Sequence, residues 1–462
     1  MPPLTDTPSP LTSIEDTICA PATAPGGALG IIRVSGSDAF SIVSSICSVN
    51  CYAVAANTIH YTHIVSAGKV IDEVMVSVFK MPKSYTGEDC VEISCHGSPY
   101  ILNKVLESLV QHGCRMAQPG EFTKRAYLNG KMDLSQAEGV ADLIASTNKA
   151  THDLAMSQLR GGISTELGRL RERLLKLTSL LELELDFSDH EDLEFADRTE
   201  LLSLAKKIDN RVTNLAQSFK AGQALKQGIP VAIVGKTNVG KSTLLNALLK
   251  DDRAIISDIH GTTRDTIEET MDINGVQFRF IDTAGIRETQ DAVEKIGIDR
   301  TLQKIKEAPI VIWLLDQRPT VSEIDEMEIL SKDKRAIYVH NKTDLIDIDK
   351  FAPYIVPLSM ISAKKGEGID NLRNRIYEEA QLAGLTTNAN DIIITNARHH
   401  DALLRAHDSI QRVLDGLTQQ LSGDLLSEDL RQALESLSEI TGGQITTNEV
   451  LGNIFKNFCV GK

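Results

Sequence analysis

The rhythm of hydrophobic and polar positions changes along the chain, and each change predicts a different kind of element. Between residues 14 and 130 the pattern is short and mixed. "GIIRVSG" (30–36) is an apolar run that predicts a buried strand, and "SDAFSIVSSI" after it predicts a helix. "HYTHIVSAGKVIDEVMVSVF" predicts a hairpin turning at Ala67-Gly68-Lys69. "EDCVEISCHG" alternates as a half-exposed strand does and leads into a helix from about Pro99 to His112. After Lys131 the spacing becomes helical: Ile163, Leu167, Leu170, Leu174, Leu177 and Leu181 share one face, as do Leu201, Ala205, Ile208, Val212 and Leu215. From about Ile229, the apolar strands "IPVAIVG", "VQFRFID", "APIVIWLLD" and "RAIYVHN" alternate with helical stretches, the mark of a parallel, doubly wound sheet. Helical spacing returns at Leu403, Ala406, Ile410, Val413, Leu417 and Leu421.

This order predicts an α/β plus all-α multidomain protein. Residues 1–13, rich in Pro, Thr and Ser, read as a flexible leader, and 14–130 as an N-terminal α/β module. Neither later helical stretch is long enough for a bundle alone, so 131–222 and 385–462 are read as one discontinuous helical domain. The α/β segment 223–384 is inserted into it. A length of 462 residues agrees with about three domains.

Composition narrows the setting. No apolar run approaches the ~18 residues needed to span a bilayer, and the leader has neither the basic region nor the apolar core of a secretory signal. Seven cysteines without a CxxC pair suit a reducing, cytoplasmic compartment. A net charge of −15 excludes nonspecific nucleic-acid binding driven by a generally basic surface, leaving a local patch or a partner to supply positive charge. His96 and the pair His399/His400 have no ligand spacing that would suggest a metal.

The chemistry is concentrated in the inserted segment. "GKTNVGKS" (235–242) follows a predicted strand and opens a predicted helix, the context that a phosphate-binding loop requires. Backbone N–H groups of Asn238, Val239, Gly240, Lys241, Ser242 and Thr243 are placed to cradle phosphates. Lys241 faces the β/γ-phosphates and Ser242 a Mg²⁺ ion. In "DTAG", Asp282 can hold a magnesium-bound water; Thr283 and Ala284 follow, and Gly285 can swing toward a γ-phosphate. "NKTD" brings Asn341, Lys342 and Asp344, whose carboxylate can accept from N1–H and the exocyclic amine of guanine, a pair adenine lacks. "SAK" (Ser362, Ala363, Lys364) closes over the base. The set, in this order, predicts a GTPase. Ile286 stands where many small GTPases carry a water-orienting glutamine. Asn238 can hold a monovalent cation together with oxygens from "SDIHGTT" (Ser257, Asp258, Ile259, His260, Gly261, Thr262, Thr263), or it can simply stabilise the turn.

With "GALGIIRVSG" and "SYTGEDCVEISCHG" in the first module, "PGEFTKRAYLNGKMDL" after them and a terminal "FCVGK", the chain resembles the MnmE (TrmE) family of tRNA modification GTPases from about residue 14 to 462. The resemblance implies a Ras-like P-loop GTPase domain inserted in the helical domain, and an N-terminal module that binds tetrahydrofolate and forms a homodimer. It implies an enzyme acting with an FAD-dependent flavoprotein, MnmG (GidA), in a heterotetramer or larger assembly. The product would be a carboxymethylaminomethyl-type group on C5 of the wobble uridine of certain tRNAs, with the one-carbon unit from 5-formyl- or 5,10-methylene-tetrahydrofolate. Hydrolysis of GTP to GDP and phosphate would be K⁺-stimulated. By motif, Arg33, Glu92, Lys131 and Lys462 would contact folate; Asn238, Ser257, Ile259 and Thr262 would ligate K⁺; Ser242 and Thr263 would ligate Mg²⁺. Glu294, in "DAVEKIGIDR", would orient the hydrolytic water. Taken singly, Arg33 reads as a surface ion pair, Glu92 as an exposed-face acid, Lys131 as a solvated lysine and Glu294 as a helix-surface acid.

The family often has an acidic run after "DFP"; here "DFSDHEDLEF" reads as a solvated loop. In the terminal segment, Thr446 and Glu449 have capping-box spacing, and Val450, Leu451, Ile454, Phe455 and Phe458 make an apolar face. That predicts an ordered, docked helix with Cys459 at its end. The resemblance makes the thiol a nucleophile or general acid/base, which needs a nearby cation, Lys462 or Arg33, because a helix C-terminus disfavours a thiolate. The competing reading is a regulatory or ribosome-assembly GTPase switch without modification chemistry of its own.

Overall fold

The computed structural model describes residues 16–186, 198–250, 268–282, 306–346, 358–386 and 391–443, together with Phe455, Phe458 and Gly461. The chain divides into two compact units, Met1–Ile144 with Gln158–Arg171 and Leu434–Lys462, and Ala145–Ser157 with Glu172–Ala433.

The first unit is built on a six-stranded sheet. Its strands are β1 (Ile18–Pro21), β2 (Leu29–Ser35), β3 (Thr58–Ser66), β4 (Lys69–Phe79), β5 (Cys90–His96) and β6 (Arg115–Met116). They lie in the order β3-β4-β5-β2-β1-β6, antiparallel throughout except for the β1/β6 pair. The hairpin turns at Ala67 and Gly68, both with positive φ (48° and 75°), the backbone a two-residue turn between twisted strands requires. Alternation then sorts the faces: Val74, Val76 and Val78 are buried, whereas Glu73 and Met75 are exposed. Two helices, α1 (Ala39–Ile46) and α2 (Pro99–Gln111), cover the apolar face through Phe40, Ile42, Val43, Leu102, Val105 and Leu109. Strand β5 alternates as expected: Val91, Ile93 and Cys95 are buried against the helices, while Glu92 and Ser94 are partly open and His96 is exposed. Helices α3 (Glu121–Leu128) and α4 (Leu134–Ala145) enclose a second small core of Leu134, Ala137 and Phe455.

In the second unit the strands are β7 (Ile229–Val234), β8 (Glu268–Ile273), β9 (Val276–Asp282), β10 (Ile310–Leu315), β11 (Arg335–His340) and β12 (Leu358–Met360). The order is β12-β11-β10-β7-β9-β8, with only β8 antiparallel. Both faces are apolar: Val231, Ile233, Phe278, Phe280 and Leu314 point to one core, and Ala232, Val311, Trp313 and Leu315 to another. Helices α8 (Lys241–Leu249) and α10 (Ile369–Leu382) supply Leu244, Leu248, Leu372 and Ile376 to the first core. Met327 of α9 (Val321–Leu330) joins the second, and Thr320 and Glu323 cap that helix reciprocally.

The long helices follow the spacing. In α6 (Gly162–Asp186) and α7 (Arg198–Gln227) every residue of the two expected stripes is buried. Helix α7 packs along α11 (Ala397–Thr418), where Asp209 accepts from Gln411 at 2.7 Å and pairs with His407 at 2.7 Å. Leu421 continues the apolar spacing yet lies past the helix: Gln420 turns left-handed, and the Leu421 N–H closes onto the Gly416 carbonyl at 2.9 Å. Helix α12 (Gly423–Thr441) follows. The short helix α5 (Lys149–Leu159) packs Ala150 and Leu154 against the sheet core, and the Ala150 N–H donates to the Gly275 carbonyl at 2.9 Å.

Candidate functional site

The phosphate loop is a backbone device. It leaves β7 at Gly235 and enters α8 at Lys241. A Cβ at Gly235 would run into the Leu314 carbonyl of neighbouring β10, and one at Gly240 (φ 99°) would lie 2.5 Å from the Asn341 side-chain nitrogen. Those two close approaches explain why glycine stands at both ends of the curl. Between them Asn238 is left-handed (φ 64°) and Val239 is buried as an anchor. The Lys241 ammonium donates to the carbonyls of Gly235 (2.7 Å) and Lys236 (2.9 Å), which holds it across the mouth of the loop. Ser242 and Thr243 are exposed in the first turn of α8.

The base-side motifs are fastened to this loop by one buried side chain. The Asn341 amide donates to the Val239 carbonyl at 2.8 Å and accepts from the Ala363 N–H at 3.0 Å. Residues 238–243, 341–344 and 362–364 therefore form one continuous lining. Lys342 is left-handed (φ 63°) and its ammonium meets Asp316 at 2.6 Å. Asp344, in a 3₁₀ turn over Thr343–Leu345, accepts from the buried Ser362 hydroxyl at 2.7 Å, and that bond holds its carboxyl below the usual range. Asp282 ends β9 in register with Ile233. The segments carrying Ser257, Asp258, Ile259, His260, Gly261, Thr262 and Thr263, then Thr283, Ala284, Gly285 and Glu294, lie outside the described residues. Sequence reasoning missed Asp316 and the Lys236–Glu323 pair at 2.5 Å; the only signal for Asp316 is its place at the end of "VIWLLD".

In the first unit, Arg33 on β2 stands directly opposite Glu92 on β5. Its guanidinium Nε donates to Glu92 Oε1 at 2.9 Å, a terminal nitrogen forms an ion pair with the same oxygen at 2.8 Å, and another donates to the Gly461 carbonyl at 3.1 Å. Its faces lie 5.3 Å from the Tyr85 ring centre and 5.6 Å from that of Phe122. Lys131 donates to the Pro82 carbonyl at 2.8 Å. The terminal segment docks on the same unit: Phe455 is buried, its ring is 5.0 Å from Phe458, and Gly120 approaches both so closely that a Cβ there would clash. Gly461 is left-handed (φ 94°) against the Pro21 carbonyl. Cys459, Lys462, the expected cap at Thr446/Glu449, and Val450, Leu451 and Ile454 lie outside the described residues.

Little in the local pattern marks the buried Arg125. It is 1% exposed and binds Asp16, Glu88 and Glu121, while Arg115 shares Asp16 and Glu121. Burial alone would raise the carboxyls of Asp16 and Glu121, but hydrogen bonds from Arg115 and the charge of Arg125 hold both below the usual range. Glu88 also accepts from Ser35 at 2.7 Å, so the cluster braces the strand that carries Arg33. Its one sequence signal is the four-residue spacing of Glu121 and Arg125. Burial pushes the Cys90 thiol up to about 12 and Cys95 to about 11, leaving both inert.

Comparison with known proteins gives matches over most of the chain. A family model described as GTP-binding protein TrmE N-terminus matches residues 17–131, and one described as MnmE helical domain matches residues 134–459. The protein named tRNA modification GTPase MnmE from Phocaeicola vulgatus is 52% identical over 497 residues, covering 97% of this chain and 99% of its own. The protein of the same name from Bacteroides thetaiotaomicron is 52% identical over 467 residues, covering 97% and 100%. Among solved structures, an Era variant of Aquifex aeolicus bound to GDP and AlF4⁻ is 31% identical. It covers 39% of this chain and 66% of its own, with a TM-score of 0.26.

Proposed function

Because the chain belongs to the MnmE (TrmE) family of tRNA modification GTPases, we propose that its two sites divide the work, GTP hydrolysis in one and wobble-uridine chemistry in the other. The chain is a GTPase of tRNA modification. The observation that carries the assignment of its nucleotide site is Asn341, which ties the phosphate loop to the base-side loop and so fixes where a guanine must lie relative to its phosphates. Asp344, kept ionised by Ser362, accepts from the guanine edge. Loop amides and Lys241 take the phosphates once the ammonium leaves the loop carbonyls.

Of the residues expected to hold the implied ions, the described ones suit them: Asn238 brings an amide oxygen on a left-handed turn, and Ser242 a hydroxyl exposed at the start of α8. A loop that curls through Gly235 and Gly240, where any Cβ would clash, leaves its N–H groups for phosphate oxygens. Ser242 at the start of α8 would hold Mg²⁺ together with Thr263, with Asp282 as the carboxylate of that site. Asn238, with Ser257, Ile259 and Thr262, would hold K⁺, and Glu294 would orient the hydrolytic water in place of Ile286. Mg²⁺ and K⁺ supply charge stabilisation at the phosphates.

In the first unit both Arg33 contacts with Glu92 fall on Oε1, leaving Oε2 to accept from an amino-pyrimidine edge such as that of a tetrahydrofolate. Lys131 and Lys462 offer cations to its acidic tail, and the folate supplies the one-carbon unit. Cys459 acts as nucleophile or general acid/base. The exposed row Ile59, Tyr61 and Met75 on β3 and β4 is apolar surface that a homodimer through this module would cover. The flavoprotein partner MnmG completes the reaction, in the cytoplasm. Among the described residues no helix is long and apolar enough to cross a membrane. The domain division at 130/131, 222/223 and 384/385 is retained within this proposal.

Nucleoside analysis of tRNA from a deletion strain, complemented with the wild-type chain or with Cys459→Ser, tests the reading. Unmodified wobble uridines are expected in the deletion and in the Cys459→Ser strain, with GTP hydrolysis by the variant unchanged; normal wobble uridines in the deletion would sink it. Hydrolysis faster in K⁺ than in Na⁺ is expected, and equal rates would remove the cation from the site.

A further inference from the structure

This chain carries 48 Lys and Arg against 63 Asp and Glu, so any RNA that the chain itself holds must meet a local reversal of charge. The second unit contains one. A cleft of about 680 Å³ opens where α7 runs into β7, over Gly228, Pro230, Ala308 and Pro309. Five cations from separate stretches of chain line it: Lys220 on α7, Arg279 on β9, Lys306 before β10, and Lys332 and Lys334 before β11. Glu307 and Asp333 are the acids among its lining residues, which leaves the cleft at about +3 in a chain of −15. Asp333 is left-handed (φ 64°), and the Lys334 N–H closes the turn onto Ser331 at 2.9 Å, so Lys332 and Lys334 sit on a tight, fixed turn. No aromatic side chain is among the lining residues.

We propose that this cleft grips the sugar–phosphate backbone of the tRNA substrate. The proposal rests on the tRNA-modification reading and adds where the RNA is held. Lysine and arginine without stacking rings position a backbone and do not read bases, which suits an enzyme that acts on several tRNAs. Burial pulls the Lys334 ammonium below its usual pKa, and a phosphate beside it would offset that desolvation. The cleft opens at the start of β7 and the phosphate loop follows its end, six residues or ~20 Å away. RNA and GTP therefore bind without competing.

The test uses the full chain with Lys220, Lys306 and Lys332, all exposed and outside the nucleotide site, changed together to Gln. Affinity for a tRNA transcript is measured between about 50 and 200 mM salt, where each lost phosphate contact removes ~0.7–0.9 from the slope of log K against log salt. A slope reduced by about two and binding weakened at least ~10-fold at low salt, with GTP affinity unchanged, is the expected result. An unchanged slope and affinity overturns the proposal. So does a variant that keeps tRNA but loses an acidic protein partner, since the cleft then serves protein. Should the variant fold poorly, lysine acetylation of the unaltered chain decides: bound tRNA must protect Lys306 and Lys332, and protection confined to other lysines overturns the site. Failure here leaves the modification role standing, because that role is read separately from wobble nucleosides.

Discussion

The proposed nucleotide site is a run of consecutive residues that would bind through their backbones, whereas at Arg33 four separated segments converge on one side chain, three through side chains and one through a carbonyl. The loop 235–242 needs only glycine where β10 and Asn341 press close, and a lysine and hydroxyl at the helix start. Arg33 instead takes Glu92 from β5, Tyr85 from a loop, Phe122 from α3 and the Gly461 carbonyl from the terminal segment. A site made of backbone survives most side-chain changes near it but fails at a few positions. A site made of converging side chains is exposed to any change that shifts one of its strands. Mutations at the two places should differ accordingly.

The largest effect is expected at the base. Asp344→Asn replaces a double acceptor by a group that presents a donor to guanine, and GTP affinity should fall about 10³- to 10⁴-fold. Affinity for xanthosine triphosphate should rise in the same titration. A loss under about tenfold would mean that Asp344 does not read the base.

Next is Arg125→Met in the first unit. Glu88 and Glu121 then lose their buried counter-charge, at a cost of about 3–5 kcal/mol. Amide exchange should accelerate in β1, β2 and β5 while β7 stays protected and GTP affinity holds. Arg125→Lys should recover little, because an ammonium cannot reproduce a fork that serves several carboxyls. Uniform protection after the Met change would show that the cluster does not brace the Arg33 site.

These two cases also explain what was legible in the sequence. The GTP motifs could be read because backbone constraints force particular residues into consecutive positions, and the Ala67-Gly68 turn for the same reason. The stripes of α6 and α7 were legible because burial repeats with the helical period. Arg125 was not, since its partners Asp16 and Glu88 are 109 and 37 residues away and only the folded sheet brings them near. Helix α5 also escaped: Asn148 caps it by accepting from the Thr151 N–H at 2.9 Å, and its packed apolar side chains are small or few, Ala155 buried with Ala150 and Leu154 partly buried against the sheet core, so its periodicity is weak. The end of α11 was overrun because Leu421 keeps the apolar spacing while a left-handed Gln420 stops the helix.

Intermediate effects test the fasteners. Asn341→Ala removes two bonds from a buried position and leaves the Val239 carbonyl and Ala363 N–H unpaired, a cost of about 2–4 kcal/mol. GTP and GDP affinity should fall together, since the tie concerns the loop and not the γ-phosphate. Gly461→Ala places a Cβ against the Pro21 carbonyl at φ 94°, a strain of about 1–3 kcal/mol. Wobble-uridine modification should drop while GTP hydrolysis continues; retention of both would show that docking of Gly461 is dispensable.

The smallest effect separates the two sites by acid. Ser362 holds the Asp344 carboxyl below its ordinary value, so the ionised form is favoured and GTP affinity should stay level as pH falls from about 7 to 5. A depressed pKa is lost only as pH falls through it, which places the wild-type decline below the ordinary value of 3.8. Ser362→Ala removes the largest cause of the shift, so the decline should begin at higher pH, nearer that value. Asp16 and Glu121 are depressed as well, and the stability they give the first unit is present above their ordinary values of 3.8 and 4.5 and lost on further acidification. The window just above pH 4.5 therefore leaves that unit with its full stability while Asp344 begins to titrate in the variant. A GTP titration there should distinguish wild type from Ser362→Ala by less than about twofold, and identical curves would show that Ser362 positions Asp344 without tuning it.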